Sequence, residues 1–285
     1  MKRTQVRVRR LIACMALVAA GSWAGSAAAA LSCSTIRIVE PYPPGGSTGV
    51  LARMVAERMT KEMGVPAIVE NRPGASGNIG SAYVARAKPD GCTFLIGTDA
   101  THVGNYYLFK NFPYHPIKDF KPITIAAKNL LVLVAHPSFP PNTADEVIKY
   151  AKDKPGTVFY GSSGVGSPHH LAGVMFAQMA GVDMRHVPYN GSGPALSDVL
   201  GGQIPLVYAS LSPAMQHIAA GKLKAIGMTE KEAFAKLPRV PPIHKTLPGY
   251  QMSSWLAFFA PAGTPDETIA VLHKSITGTI KDPAN

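Results

Sequence analysis

Apolar residues along this chain fall into two alternating patterns. Short runs rich in Ile, Val, Leu and Phe, at residues 36–39, 67–69 and 93–96, read as strands buried in a sheet. Between them the apolar positions take helical spacing. Val50, Leu51, Met54, Val55 and Met59 predict a helix over residues 48–63, which Gly64 ends with Pro66 beyond it. The loop 71–78 leads into a second helix reaching about residue 87, and Pro89-Asp90-Gly91 turns the chain into the third strand. Strands joined by helices in this order imply a parallel, doubly wound sheet. In such a sheet the ligand crevice lies outside the carboxyl ends of the strands.

Residues 105–121 break the rhythm, because Pro113, Pro116 and Pro122 exclude a long helix. Extended runs at 123–127 and 130–135 follow. The alternation then restarts: helix 143–153, strand 157–160, helix 168–180, strand 185–187, helix 195–200, and strands 204–208 and 224–228. These elements predict a second α/β lobe over residues 127–251. A strand at 253–260 and a helix at 264–281 return to the first lobe, which therefore comprises 31–126 plus 252–285, with two extended segments as a hinge. Met175, Phe176 and Met179, like Trp255, Phe258 and Phe259, read as core packing, with one of the last three aromatics available to wall a cleft.

Composition narrows the class. The first thirty residues hold Lys2, Arg3, Arg7, Arg9 and Arg10, then the apolar stretch 11–20, then Ala28-Ala29-Ala30. That is a secretory signal peptide cleaved after about Ala30, and its apolar core is too short to span a membrane. It also takes five of the +11 net charges, leaving +6 scattered over residues 31–285. No basic stripe with interleaved aromatics points to nucleic acid. Cys33 and Cys92 each precede a predicted strand. In an exported protein, neighbouring strands would bring them into a disulfide; two small buried hydrophobes is the other reading.

Candidate chemistry sits where strands end and helices begin. Pro43-Pro44-Gly45-Gly46-Ser47-Thr48 follows the first strand, with Ser47 or Thr48 placed to cap the helix. Gly161-Ser162-Ser163-Gly164-Val165-Gly166-Ser167-Pro168 repeats the device in the second lobe, and Tyr189-Asn190-Gly191-Ser192-Gly193-Pro194 repeats it again. Gly97-Thr98-Asp99 lies at a third-strand end. Helix N-termini present unpaired N–H groups and the positive end of a dipole, so they favour anions without a cationic side chain. The pattern predicts capture of a small anion between the lobes.

Other chemistries fit less well. There is no Gly-x-Ser-x-Gly elbow and no Gly-x-x-x-x-Gly-Lys loop. Gly74, Gly77 and Gly80 follow Pro73 instead of a strand, so a dinucleotide site is not expected. Adjacent His169 and His170 point to different helix faces without a nearby carboxylate, so no metal site is expected either. His102 and His115 read as loop histidines. A hydrolase using Ser163 or Ser167 with His170 is the enzymatic alternative. The leading expectation is no enzyme and no cofactor.

Tyr42-Pro43-Pro44-Gly45-Gly46-Ser47-Thr48, the 70–80 segment Glu70-Asn71-Arg72-Pro73-Gly74-Ala75-Ser76-Gly77-Asn78-Ile79-Gly80, and Pro89-Asp90-Gly91 occur in order. Gly161-Ser162-Ser163-Gly164, His170-Leu171-Ala172-Gly173, His186-Val187-Pro188-Tyr189, Gly201-Gly202-Gln203, Ser254-Trp255 and Ala260-Pro261-Ala262-Gly263-Thr264-Pro265 follow. Together they resemble the extracytoplasmic solute receptors of tripartite tricarboxylate transporters, the Bordetella uptake gene family. The resemblance covers nearly all of residues 31–285. It implies an α/β, two-lobe periplasmic-binding-protein-like (type II) fold, with a doubly wound mixed sheet in each lobe and a two-segment hinge. It further implies a monomer that closes over a mono-, di- or tricarboxylate and delivers it to membrane permease subunits; a sensor signalling to a membrane partner is the alternative. The implied ligand-binding residues are Tyr42, Pro44, Gly45, Gly46, Ser47, Thr98, Asp99, Thr101, Ser162, Ser163, Gly164, Gly166, Ser167, Tyr189, Gly191, Ser192 and Gly193. Gly49 stands where the family usually has Asp, which predicts a weaker first helix by roughly 1 kcal/mol. Family members normally continue past Asn285 with a last strand and helix of the first lobe, so the resemblance predicts that residues 31–285 lack them.

Overall fold

The computed structural model describes residues 31–282, and the signal peptide read over residues 1–30 lies outside them. Strands β1 (Ile36–Glu40), β2 (Ala67–Asn71), β3 (Thr93–Thr98), β4 (Phe120–Asn129) and β10 (Ser254–Pro261) form one five-stranded sheet in the order β2-β1-β3-β10-β4. Strands β5 (Leu131–Ala135), β6 (Val158–Ser162), β7 (Met184–Pro188), β8 (Leu206–Ser210) and β9 (Lys224–Met228) form the other, in the order β7-β6-β8-β5-β9. Three neighbours in each sheet run parallel, as alternation with helices requires. The rest is mixed: β10 runs antiparallel to β3 and β4, and β5 antiparallel to β8 and β9. The antiparallel strands are those that enter from the other lobe.

The helices follow the apolar periodicity. In α1 (Ser47–Met63), Leu51, Val55 and Met59 are buried, and Gly64 closes the helix in the left-handed conformation. The helices α2 (Asn78–Ala85), α3 (Asn105–Leu108) and α8 (Asp266–Ile280) complete the first lobe. The helices α4 (Ala144–Asp153), α5 (Pro168–Ala180), α6 (Ser192–Leu200) and α7 (Leu211–Ala219) belong to the second. Fully buried Leu133, Val158, Phe176, Leu206 and Tyr208 centre one face of the second sheet, and Val132, Val134, Val199 and Val207 the other.

Three features differ from the sequence reading. Helix α7 was masked by Pro213, which sits in its first turn where the missing N–H costs no helical bond. Residues 100–104 form a π-helical turn that runs into α3, and α3 lies inside the stretch 105–121 read as irregular. β4 continues through Pro122 because it is an edge strand, where a missing donor is tolerated.

Cys33 and Cys92 stand just before parallel neighbours β1 and β3 and form a disulfide across a sequence separation of 59. The cross-link removes conformational freedom from the unfolded chain. The chain passes from the first sheet to the second at Leu130 and returns through residues 229–253. The two crossings lie side by side. Thr229 N donates to Leu131 O at 3.1 Å and Lys128 Nζ to Glu230 Oε2 at 2.8 Å, and Thr229 Oγ1 donates to Met252 O at 2.9 Å within the return segment.

Candidate functional site

Strand ends from both lobes converge on one cleft. Tyr42 follows β1, Thr98 and Asp99 end β3, and Ser47 and Thr48 open α1. From the second lobe come Ser163 after β6, Pro168 and His169 at the start of α5, Ser192 at the start of α6, and Ser210 at the end of β8. Asn129, Ser254 and Leu256 complete a narrow cavity. Neither Lys nor Arg lines it.

Its walls are hydrogen-bonded hydroxyls. Ser163 Oγ lies 2.7 Å from His169 Nδ1, His169 Nε2 lies 3.2 Å from Ser210 Oγ, and Ser47 Oγ donates to Ser210 Oγ at 3.2 Å. This chain ties the first residue of α1 in one lobe to the β6–α5 turn in the other. Burial pushes the His169 imidazole down to about 4, so it is neutral at pH 7. Tyr42 Oη and Thr98 Oγ1 are 3.0 Å apart. Asp99 Oδ1 accepts from Ala100 N and from Ser254 Oγ, each at 3.1 Å. Burial pushes its carboxyl up to about 6.

The glycine turns close the cleft rather than floor it. A Cβ on Gly193 would lie 2.2 Å from Pro44 O and 3.1 Å from Gly45 Cα, and a Cβ on Gly46 would lie 2.8 Å from Ser192 Oγ. Backbone of the Pro44–Gly46 turn therefore rests on backbone at Gly193, and Gly191 lies against Pro43. Nearby, Ser76 Oγ donates to Val165 O at 2.9 Å across the lobes, and Gly164 and Gly166 leave room for Ser76 and Leu108.

Of the residues expected from sequence, Tyr42, Ser47, Thr98, Asp99, Ser163 and Ser192 line the cavity. Pro44, Gly45, Gly46, Gly191 and Gly193 form its closed rim. The polar atoms of four others serve their own lobe. Ser162 Oγ is 2.6 Å from His186 Nε2 and accepts from Gly164 N; Ser167 caps α5; Tyr189 Oη donates to Asp198; Thr101 Oγ1 accepts from Thr98 N. The expected cap of α1 by Ser47 or Thr48 is not made. The helix starts after Gly46 with no side-chain cap, while Thr48 Oγ1 donates to Glu40 Oε1 at 2.8 Å. Glu40 is wholly buried and also accepts from Asn71 Nδ2 and from the Gly49 backbone. The acid missing from the first turn of α1 is thus supplied from β1.

His170 does not pair with Ser163 or Ser167 through its ring; it accepts from Gly166 N and lies against His186 with ring centroids 4.1 Å apart. His102 stacks on Phe259 at 3.7 Å, and His115 accepts from the Ile117 and Lys118 backbone. Among the described residues no His, Cys, Asp and Glu cluster fits a metal ion. Sequence reasoning missed Thr48, Asn129, His169, Ser210 and Ser254. Ser210 and Asn129 were findable as polar residues at strand ends. His169 was not, because its partner Ser210 is 41 residues away.

Comparison with known proteins agrees with this arrangement. The family model for the tripartite tricarboxylate transporter family receptor matches residues 51–285. A UPF0065 protein from a Pseudomonas species is 35% identical over 247 residues, which is 86% of this chain and 73% of that protein. The protein BugT of Bordetella pertussis is 32% identical, over 87% of this chain and 77% of its own. An R. palustris structure with adipate superposes with a TM-score of 0.85 at 33% identity, covering 88% of this chain and 84% of the other. MatC from Rhodopseudomonas palustris with bound malate gives 0.82 at 31% identity, covering 87% and 85%. The fold is that of the two-lobe periplasmic binding proteins, and this chain belongs to the receptor family of the tripartite tricarboxylate transporters.

Proposed function

We propose that this chain acts in the periplasm as a monomeric receptor that captures a small carboxylate between its lobes and hands it to membrane permease subunits. The observation that carries the reading is the cleft itself, built of hydroxyls and helix entrances from both lobes with no cationic side chain in its wall. Related structures with adipate and malate support the ligand class. Lobe 1 takes residues 31–126 plus 252–285 and lobe 2 takes 127–251, with Leu130 and residues 251–253 as the hinge. Ligand bridging both walls favours the closed arrangement.

Micromolar affinity needs about −8 kcal/mol, and hydrogen bonds to a charged acceptor contribute about 1.5–3 kcal/mol each. Four or five donors suffice before ordering costs. Isothermal titration against mono-, di- and tricarboxylates is expected to find a micromolar ligand; a folded protein silent across the panel refutes the reading. Gly193→Ala tests closure separately. Its Cβ would meet Pro44 O at 2.2 Å, so the turn cannot seat. Affinity is expected to fall at least tenfold, with the thermal midpoint unchanged and the liganded form staying open by small-angle scattering.

Turnover is not part of this function. The Ser163–His169 pair has the spacing of a nucleophile and base, but Nε2 of His169 faces a serine hydroxyl instead of a carboxylate. An imidazole held near 4 is also a weak base at pH 7.

A further inference from the structure

We infer that Asp99 selects the ligand: it receives a cationic nitrogen, so the preferred solute is an amino acid, a carboxylate that carries an ammonium group. The inference rests on the receptor reading above and names the substrate class within it.

An anionic side chain in the wall of an anion receptor calls for a reason. Asp99 sits at the carboxyl end of β3 with its side chain in the cavity wall. Ala100 N and Ser254 Oγ both donate to Oδ1, and the Asp99 backbone N–H also turns to the carboxylate. Among the described side chains none donates to Oδ2. The groups facing it add no positive charge. Tyr42 and Thr98 are neutral hydroxyls bonded to each other, and Glu40 lies behind Thr48 with a carboxylate of its own. His169 is the one basic group in the wall, and both its nitrogens are engaged by serines. The countercharge for Asp99 is therefore left to whatever fills the cleft.

The rest of the wall fixes the ligand's other end. Ser47 and Ser192 open helices from opposite lobes, and their N-termini suit a carboxylate. A solute with only carboxylates would set one of them against Asp99 in a space screened from water, where like charges repel strongly. A solute with an ammonium beside its carboxylate satisfies both ends at once.

The test uses pairs that differ only in that nitrogen: L-aspartate against succinate and L-glutamate against glutarate, titrated calorimetrically at pH 7.5. Wild type is expected to bind at least one amino acid ten times or more tighter than its partner. In Asp99→Asn that ratio is expected to fall to one or below, with the dicarboxylate gaining affinity. Succinate or glutarate binding wild type as tightly as the amino acid overturns the inference and leaves the receptor reading standing. Silence toward all four also overturns it, and the wider carboxylate panel then decides the receptor reading alone. An unchanged ratio in Asp99→Asn assigns selectivity elsewhere and overturns the role of Asp99.

Discussion

Gly49→Asp, which installs the residue that the family resemblance leads one to expect here, is expected to destabilise this protein by about 4 kcal/mol, measured by urea unfolding. A Cβ at position 49 would lie 2.7 Å and 2.8 Å from the two carboxylate oxygens of Glu40 and 3.0 Å from Arg53 Nη1. Glu40 is wholly buried and holds Thr48 Oγ1, Asn71 Nδ2 and the Gly49 amide. Any side chain here pushes that carboxylate off its donors, and an aspartate adds a second buried negative charge. Breaking a buried, hydrogen-bonded ionic cluster costs about 3–5 kcal/mol. Gly49→Ala separates the two causes. On helix propensity alone it would stabilise by about 1 kcal/mol; here it is expected to destabilise by about 2 kcal/mol, since the steric term remains and the charge term does not.

The decisive measurement is the double-mutant cycle with Glu40→Val. Removing Glu40 vacates the space that Asp at 49 needs, and the aspartate then sits in the first turn of α1 as a favourable acid. The double variant is expected to be more stable than the sum of the single effects predicts, by about 2 kcal/mol or more. Simple additivity would mean that Glu40 and Gly49 are not an exchanged pair. On this account the helix keeps its acid, delivered from the neighbouring strand instead of from the helix itself.

That exchange shows where the sequence was legible and where it was not. The strands at residues 36–39, 93–96 and 204–208 were readable because near-complete burial leaves mainly apolar residues for them to use, with exposed Arg37 the clearest exception. The entrances to α1, α5 and α6 were readable from glycine and hydroxyl pairs, which need no knowledge of distant partners. What those hydroxyls do was not readable. Thr48 turns back to Glu40, Ser47 crosses to Ser210 and Ser162 turns to His186, over separations of 8, 163 and 24 residues. Local chemistry places a donor on a helix end; the fold decides which acceptor comes within reach. The same holds for Gly49, which looks like a weakened helix in one dimension and is the space for a carboxylate in three.

Asp99→Asn is expected to stabilise the ligand-free protein by about 2 kcal/mol at pH 7.5, an advantage that disappears by about pH 4. The carboxyl is raised by burial from its usual 3.8 to about 6, with the Ser254 and Ala100 hydrogen bonds only partly offsetting that. A carboxyl with a raised folded-state pKa contributes most below its unfolded value. That contribution is lost as pH rises from about 4 through 6. Two units correspond to about 3 kcal/mol, and partial solvent access trims this to about 2. The readable quantity is the difference between variant and wild type, because His169, His102 and His186 act with the opposite sign. Their pKa values are lowered by burial, so their stability is lost as pH falls below 6.5. Glu40 is raised like Asp99 and leaves a slope of the same sign in both proteins. A variant no more stable than wild type at pH 7.5, or a difference that does not change with pH, would mean that Asp99 is already compensated within the protein. The expected result is the reverse: a wall residue that costs stability when the cleft is empty, and whose charge is neutralised only when a solute brings its own cation.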